Sequence, residues 1–284
     1  MARPSQLAFL LLAAAGILMV GGPSMGALQR SRSPASRPAV NVVREERTVL
    51  VDGRTEVWRL VWRKAPQSFC GPEHDTWATC PCSGFEFGEW GTLDLVRLRE
   101  GIDVERLGLN ALFQGEGTPG GNGIAALPRW TVRNHDIDQE DSPGFAARVR
   151  SRPVVEIMHI ADFDHDGSAT EFFLHTGNQP CGKATGIMVG LSASNRHLHA
   201  FGSTNHPKKP LVLQWTEWKA LRDSTNGKVE MVDWHCADHG SDGETRIRLQ
   251  ITPQGIQGDY RDFACRDDGK RGRLLETRPL ESQP

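Results

Sequence analysis

Val49-Leu50-Val51-Asp52-Gly53-Arg54-Thr55-Glu56-Val57-Trp58 is the stretch on which the fold class turns. β-Branched and aromatic residues flank an Asp-Gly pair, and such a pair between two β-rich runs signals a hairpin, because both central residues of the tight turn take positive φ. The reading predicts strands over 49–51 and 57–62. Outward from it the pattern recurs: 91–99 and 104–109 flank Glu100-Gly101-Ile102-Asp103 as a second expected hairpin. Short β-branched runs at 154–160, 171–176, 186–191, 196–201, 229–234, 245–251 and 258–263 read as further strands, with a turn over 253–255. Trp215, Trp218 and Leu221 recur at helical spacing between Pro210 and Asn226-Gly227, which predicts one helix there. The expected fold is mainly β, with antiparallel sheets and one or two small helices, arranged as a sandwich or a partial propeller.

Composition bounds the rest. The chain has 284 residues with 33 Lys+Arg against 35 Asp+Glu, a net charge of -2. This supplies no overall positive field, so a uniformly basic nucleic-acid binder is excluded. With 38% hydrophobic residues, the chain has enough apolar matter for a sizeable core, which excludes disorder of the whole.

At the N-terminus Arg3 precedes an apolar run over 7–20, then Gly21-Gly22-Pro23 and the small residues Ser24, Gly26 and Ala27. That order is the pattern of a secretory signal peptide over 1–27. The run is shorter than the roughly 20 residues that span a bilayer, so no stable membrane span is expected after cleavage. Residues 28–42 are polar and proline-bearing and read as a disordered tether. A single β-rich domain follows over 43–281, within which the Gly-rich stretch 115–123 marks where a sub-boundary could fall. The expected location is secreted or periplasmic, the alternative being an uncleaved N-terminal anchor. Six cysteines, Cys70, Cys80, Cys82, Cys181, Cys236 and Cys265, are then expected to form three disulfides. Cys80 and Cys82, separated by Pro81 alone, should not pair with each other. The thiols contain no CxxC pair, which disfavours zinc.

One motif carries chemistry. Asp162-Phe163-Asp164-His165-Asp166-Gly167-Ser168-Ala169-Thr170-Glu171 has acids at its first, third and fifth places and glycine at the sixth. Calcium is a hard cation that takes six to eight oxygens. Alternating Asp side chains in a tight turn bring several oxygens around one point. The expected ligands are Asp162, Asp164, Asp166, the backbone carbonyl of Ser168, and Thr170 or Glu171, directly or through water. The loop resembles the calcium loops of EF-hand and dockerin proteins and, more closely, those of FG-GAP and VCBS repeat domains, where strands flank the ligands. It departs from the EF-hand pattern at the twelfth place, which is Phe173, and it occurs once in the chain. The stretch 136–141, Asp136-Ile137-Asp138-Gln139-Glu140-Asp141, is a degenerate second copy without the glycine. The expected role of the calcium is to pin a turn between two strands.

Other constellations are less specific. His197, His199 and His206 lie close in sequence, and Asp233, His235, Asp238 and His239 surround Cys236. Two such histidines and a carboxylate could hold a hydrolytic zinc, although the HExxH signature is missing. Gly190-Leu191-Ser192-Ala193-Ser194 lacks the closing glycine of a nucleophile elbow. The leading expectation is an exported, calcium-binding, non-enzymatic protein, an envelope or extracellular interaction module with a protein or glycan partner. The alternative is a secreted metal-dependent hydrolase that uses one of the His/Asp clusters. The first predicts an oxygen cage away from any deep cleft; the second predicts two histidines and a carboxylate converging inside one.

Overall fold

The structure is a computed structural model that describes residues 41–72, 85, 87–114, 123–136, 138–179 and 183–280. The leader 1–27, most of the tether, nearly all of the stretch 115–123, and Cys80, Cys82 and Cys181 lie outside the described residues. Residues Ala39–Pro284 cluster as one compact unit. Among the described residues no helix is long and apolar enough to cross a membrane.

The chain is β-rich, with four antiparallel sheets and two α-helices among the described residues. Strands β1 (Val42–Val51) and β2 (Arg54–Trp62) pair through the turn that the sequence marks, with Asp52 at φ 51 and Gly53 at φ 74. Two short strands, β3 (Gln67–Phe69) and β4 (Gly88–Gly91), pair with each other in a side sheet. Strands β5 (Leu93–Arg99) and β6 (Ile102–Gly108) form the second hairpin. Its turn is only Glu100-Gly101, both at positive φ, so Ile102 and Asp103 belong to the strand and not to the loop. The order of the first sheet is β1-β2-β5-β6, and β7 (Ala125–Pro128) completes the side sheet on β4.

The second large sheet is built on β9 (Lys183–Ser192). Along one edge it pairs with β8 (Glu171–Gln179), and along the other with β10 (Asn195–Ala200) and β11 (Leu213–Gln214). Side chains alternate across a strand, so β9 faces two cores. Ile187, Val189 and Leu191 join Phe172 and Leu174 of β8 against Trp58, Leu60 and Trp62 of β2. Met188 points the other way, toward Trp218, Leu221, Ile247 and Leu249. Trp218 and Leu221 belong to helix α2 (Trp215–Asp223). Ile247 and Leu249 belong to β13 (Gly243–Thr252), the second strand of a meander with β12 (Lys228–Trp234), β14 (Gly255–Cys265) and β15 (Arg271–Pro279). The expected helix is present but short. Gln214 and Glu217 form a capping box at its start, satisfying amides that the first turn would otherwise leave open. The remaining helix, α1 (Phe145–Arg150), is a single short segment packed on Phe87.

One expected strand is absent. The run 154–160 makes a single bridge, Trp130 with Val154, and then proceeds unpaired by any strand. Side chains of β1 take the place of a ladder. The Glu45 carboxylate accepts the Ile157 and Met158 amides at 2.7 and 3.0 Å, and Arg44 and Arg47 donate to the Val155 and Met158 carbonyls. Cys236 and Cys265 form a disulfide, and Cys70 is disulfide-bonded as well.

Gly190 of β9 marks the closest approach of backbone to backbone near the motif. A Cβ there would sit 2.1 Å from the Thr170 carbonyl oxygen and 2.7 Å from the Glu171 Cα. Gly190→Ala should therefore cost about 1–3 kcal/mol, the range of overpacking in a tight core. Urea denaturation measures this; an unchanged midpoint would mean that the turn and β9 are not held in contact.

Candidate metal centre

The acidic turn is a loop closed at its base. Ala161 and Glu171 form an isolated antiparallel bridge, with amide-to-carbonyl distances of 2.9 and 3.1 Å, and β8 starts at Glu171. Between those ends the backbone turns back on itself with His165 at φ 56 and Gly167 at φ 88. The glycine at the sixth place thus supplies the left-handed conformation that the motif requires of it. Two side chains fasten the loop to the core. Phe163 is buried among Trp215, Leu221 and Met188, and the His165 ring donates to the Leu221 carbonyl at 2.9 Å.

Inside the loop the carboxylates point inward. Oxygens of Asp162, Asp164 and Glu171 all lie within 4.8 Å of one another. Asp162 accepts the amides of Asp166 (3.1 Å) and Gly167 (3.0 Å), and Asp164 also accepts the Asp166 amide. Glu171, fully buried, folds back beneath the turn, where its Oε2 accepts the Phe163 amide at 2.7 Å and its Oε1 accepts the Thr170 hydroxyl. Asp166 stands slightly apart: one oxygen takes the Ser168 amide at 2.8 Å and the other lies 3.7 Å from the Arg196 guanidinium. Of the expected ligands, the geometry gathers Asp162, Asp164 and Glu171, and directs Asp166 toward Arg196. Thr170 is fully buried, its hydroxyl on Glu171 and its carbonyl accepting the Leu191 amide.

This crowding has an electrostatic signature. Burial pushes the Glu171 carboxyl up to about 8, and the nearby Asp164 and Asp166 charges add to the rise. Burial likewise raises Asp164 to about 6, with the charges of Asp166 and Asp162 contributing. Three other deeply buried acids have cations, whereas Glu217 is held by the Gln214 amide at the start of α2. Glu56 is paired with Arg97 and Arg99, Asp94 with Arg63 and Arg106, and Asp136 with Arg152. Among the described residues no Lys or Arg lies in ion-pair range of Asp162, Asp164 or Glu171. The pairing of Asp136 with Arg152 at 2.6 Å also removes 136–141 as a second loop, because its first acid is committed to an arginine.

The histidine clusters do not assemble. His197 is exposed and meets Glu105 at 3.2 Å, His199 stacks on Phe201 with its Nδ1 on the His197 carbonyl, and His206 is exposed. Asp233 accepts from Gln214, while His235 and Asp238 are exposed; the His239 side chain lies outside the described residues. Among the described residues, Asp162, Asp164 and Glu171 are the one group of three such side chains whose ligand atoms converge. The turn also lies beside a cleft, since Asp164 and Asp166 line a cavity of about 500 Å³. The expected separation of oxygen cage and cleft is therefore not what the fold builds. The cleft was illegible in the sequence because its walls come from residues 164–166, 192–195 and 251–256, brought together only by tertiary pairing such as the bridge between Ser203 and Ile256.

Fold and site together define a β-rich chain with one acidic turn closed by a buried glutamate. Compared with models of known families, with curated proteins and with solved structures, the chain matches none at a significant level.

A pH dependence follows for metal-free protein. Asp164 and Glu171 hold protons in the folded chain up to about 6 and 8, and release them near 3.8 and 4.5 once unfolded. Stability from these groups is complete below the unfolded values and is lost as pH rises through the folded ones. In EDTA the melting temperature should fall from pH 4 to about pH 8. Glu217, raised by burial to about 7, moves in the same direction. Asp164→Asn isolates the turn: it should flatten the lower part of the slope, and a slope identical to that of the parent would refute the assignment.

Proposed function

We propose that this is an exported calcium-binding protein without catalytic chemistry of its own, whose acidic turn takes one Ca²⁺ and whose neighbouring surface serves an envelope or extracellular interaction. The observation that carries the reading is the convergence of the Asp162, Asp164 and Glu171 oxygens, one of them on a fully buried side chain, without a basic partner among the described residues. Like charges so placed are costly unless protonated or neutralised by a cation. The donors are all oxygens, the preference of a hard cation, and a backbone turn with left-handed residues suits the irregular shell of calcium better than the strict octahedron of magnesium. Asp166, the Ser168 carbonyl and water would complete the shell. The ion joins the base of the turn, held by the Ala161–Glu171 bridge, to its tip. Its role on this reading is to fix the entry to β8.

Export is supported by the leader pattern in 1–27 and by the Cys236–Cys265 disulfide, a bond that persists in oxidising compartments. The likeness to FG-GAP and VCBS loops agrees with the same reading, since a strand follows the turn directly.

Calorimetric titration of EDTA-treated protein tests it. One Ca²⁺ should bind per chain, and saturation at about a hundred times Kd should raise stability by about 2.7 kcal/mol. Asp164→Asn should weaken calcium by tenfold or more, on the order of what removing even an outer-sphere partner costs. No heat and no change in melting temperature with Ca²⁺ would sink the proposal, and tighter binding of Zn²⁺ would replace the ion.

A further inference from the structure

One guanidinium stands between two carboxylates that belong to different parts of the fold. Arg196 lies in β10, where the pairing with β9 shifts register between Asn195 and His199. Its backbone is fixed to the first sheet: the Arg196 carbonyl accepts Arg97 of β5 at 3.1 Å, and Glu105 of β6 accepts the Leu198 amide at 2.9 Å. From that anchored position the side chain reaches in two directions. Its Nη2 donates to Asp52 in the turn between β1 and β2, and its Nη1 lies 3.7 Å from Asp166 in the acidic turn. Among the described residues no other Lys or Arg is in ion-pair range of a carboxylate of that turn.

The two ends of this bridge differ. The Asp52 side chain is 68% exposed, whereas that of Asp166 is 8% exposed. Asp166 Oδ1 accepts the Ser168 amide, so Oδ2, the oxygen turned toward Arg196, is the one left to offer a metal. It stands outside the converging group of Asp162, Asp164 and Glu171. A divalent ion in the turn and the guanidinium therefore compete for the same oxygen, and the ion repels the guanidinium as it arrives. We propose that Arg196 is an internal competitor of calcium, holding the fifth-place acid out of the shell until Asp52 retains the guanidinium alone. The inference rests on the calcium reading and adds that the affinity of the turn is set from the first hairpin. Two signs follow. Without the arginine, Asp166 is free to join the ion and calcium binds more tightly. Without the Asp52 charge, Arg196 has Asp166 alone to hold and calcium binds more weakly. Long-range charge would give the same two signs, but its effects would add; a relay through Arg196 makes Asp52 silent once the arginine is gone.

The test is a calorimetric calcium titration of the full chain as parent, Arg196→Gln, Arg196→Lys, Asp52→Asn and the double variant Asp52→Asn/Arg196→Gln, with thermal melts in EDTA to certify folding. Asparagine suits position 52, whose φ is 51. Arg196→Gln should tighten calcium about three- to fivefold, the scale of a partly exposed ion pair. Arg196→Lys keeps the competing charge and should stay within about twofold of the parent, while Asp52→Asn should weaken calcium about twofold or more. The double variant should bind as Arg196→Gln does. Calcium heat on the parent with unchanged or weaker binding in Arg196→Gln overturns the proposal and leaves the calcium reading standing. So does a lysine variant that binds like the glutamine one, or an Asp52→Asn effect of equal size in both backgrounds. A second measurement needs no arginine variant: the carboxyl ¹³C resonance of Asp52 should move when calcium is added to the parent, and a resonance that stays fixed overturns the proposal. No calcium heat on the parent removes the calcium reading, and this inference falls with it.

Discussion

Strand β9 is buried on both faces, and that constraint organises the chain. Because side chains alternate, Ile187, Val189 and Leu191 serve one core while Met188 serves another, so a sheet lies on one side of it and α2 with the β13–β14 meander on the other. Such a strand has no polar face. Where the second core is closest, the strand carries Gly186 and Gly190, and neighbouring backbone and aromatic atoms fill the space a side chain would take. The acidic turn packs against Gly190, and its own Phe163 is embedded in the second core. The turn's shape is thereby imposed from beneath by apolar packing, and its carboxylates are left to accommodate one another at a place they did not choose.

The contrast among buried acids gives this placement its meaning. Glu56, Asp94 and Asp136 are each neutralised by arginine, and their carboxyls are held below the usual range despite burial. Glu217 finds the start of α2, where it accepts the Gln214 amide at 2.7 Å. Glu171 alone sits fully buried with two further acids at close range. A single chain thus answers the same electrostatic problem with arginine at Glu56, Asp94 and Asp136, and at Glu171 with a carboxyl that burial raises to about 8.

Much of the sheet framework was legible in local sequence. Asp52-Gly53 and Glu100-Gly101 declare their turns because both positions need positive φ, and the short β-rich runs in β8, β9 and β13 declare strands. What failed was the run 154–160, whose β-branched composition suggests a strand but whose backbone partners are the side chains of Glu45, Arg44 and Arg47. No window of neighbouring residues contains that information. Strand β15 was missed for the opposite reason: it is exposed along almost its whole length, so it has no apolar alternation to detect. At the motif, the regular spacing of Asp162, Asp164 and Gly167 was readable, whereas the burial of Glu171 depended on where β9 would lie.

The clamp from β1 onto residues 155–158 reaches across a sequence separation of 112 residues. Those clamped residues run straight into Ala161, where the acidic turn begins. A contact of such span carries a large loop-closure cost and forms only when the intervening chain has collapsed. Assembly of the turn is consequently a late event, contingent on the opening strand of the domain having docked, and any fragment cut to begin after that strand would carry the motif's letters without the scaffold that gives them a shape.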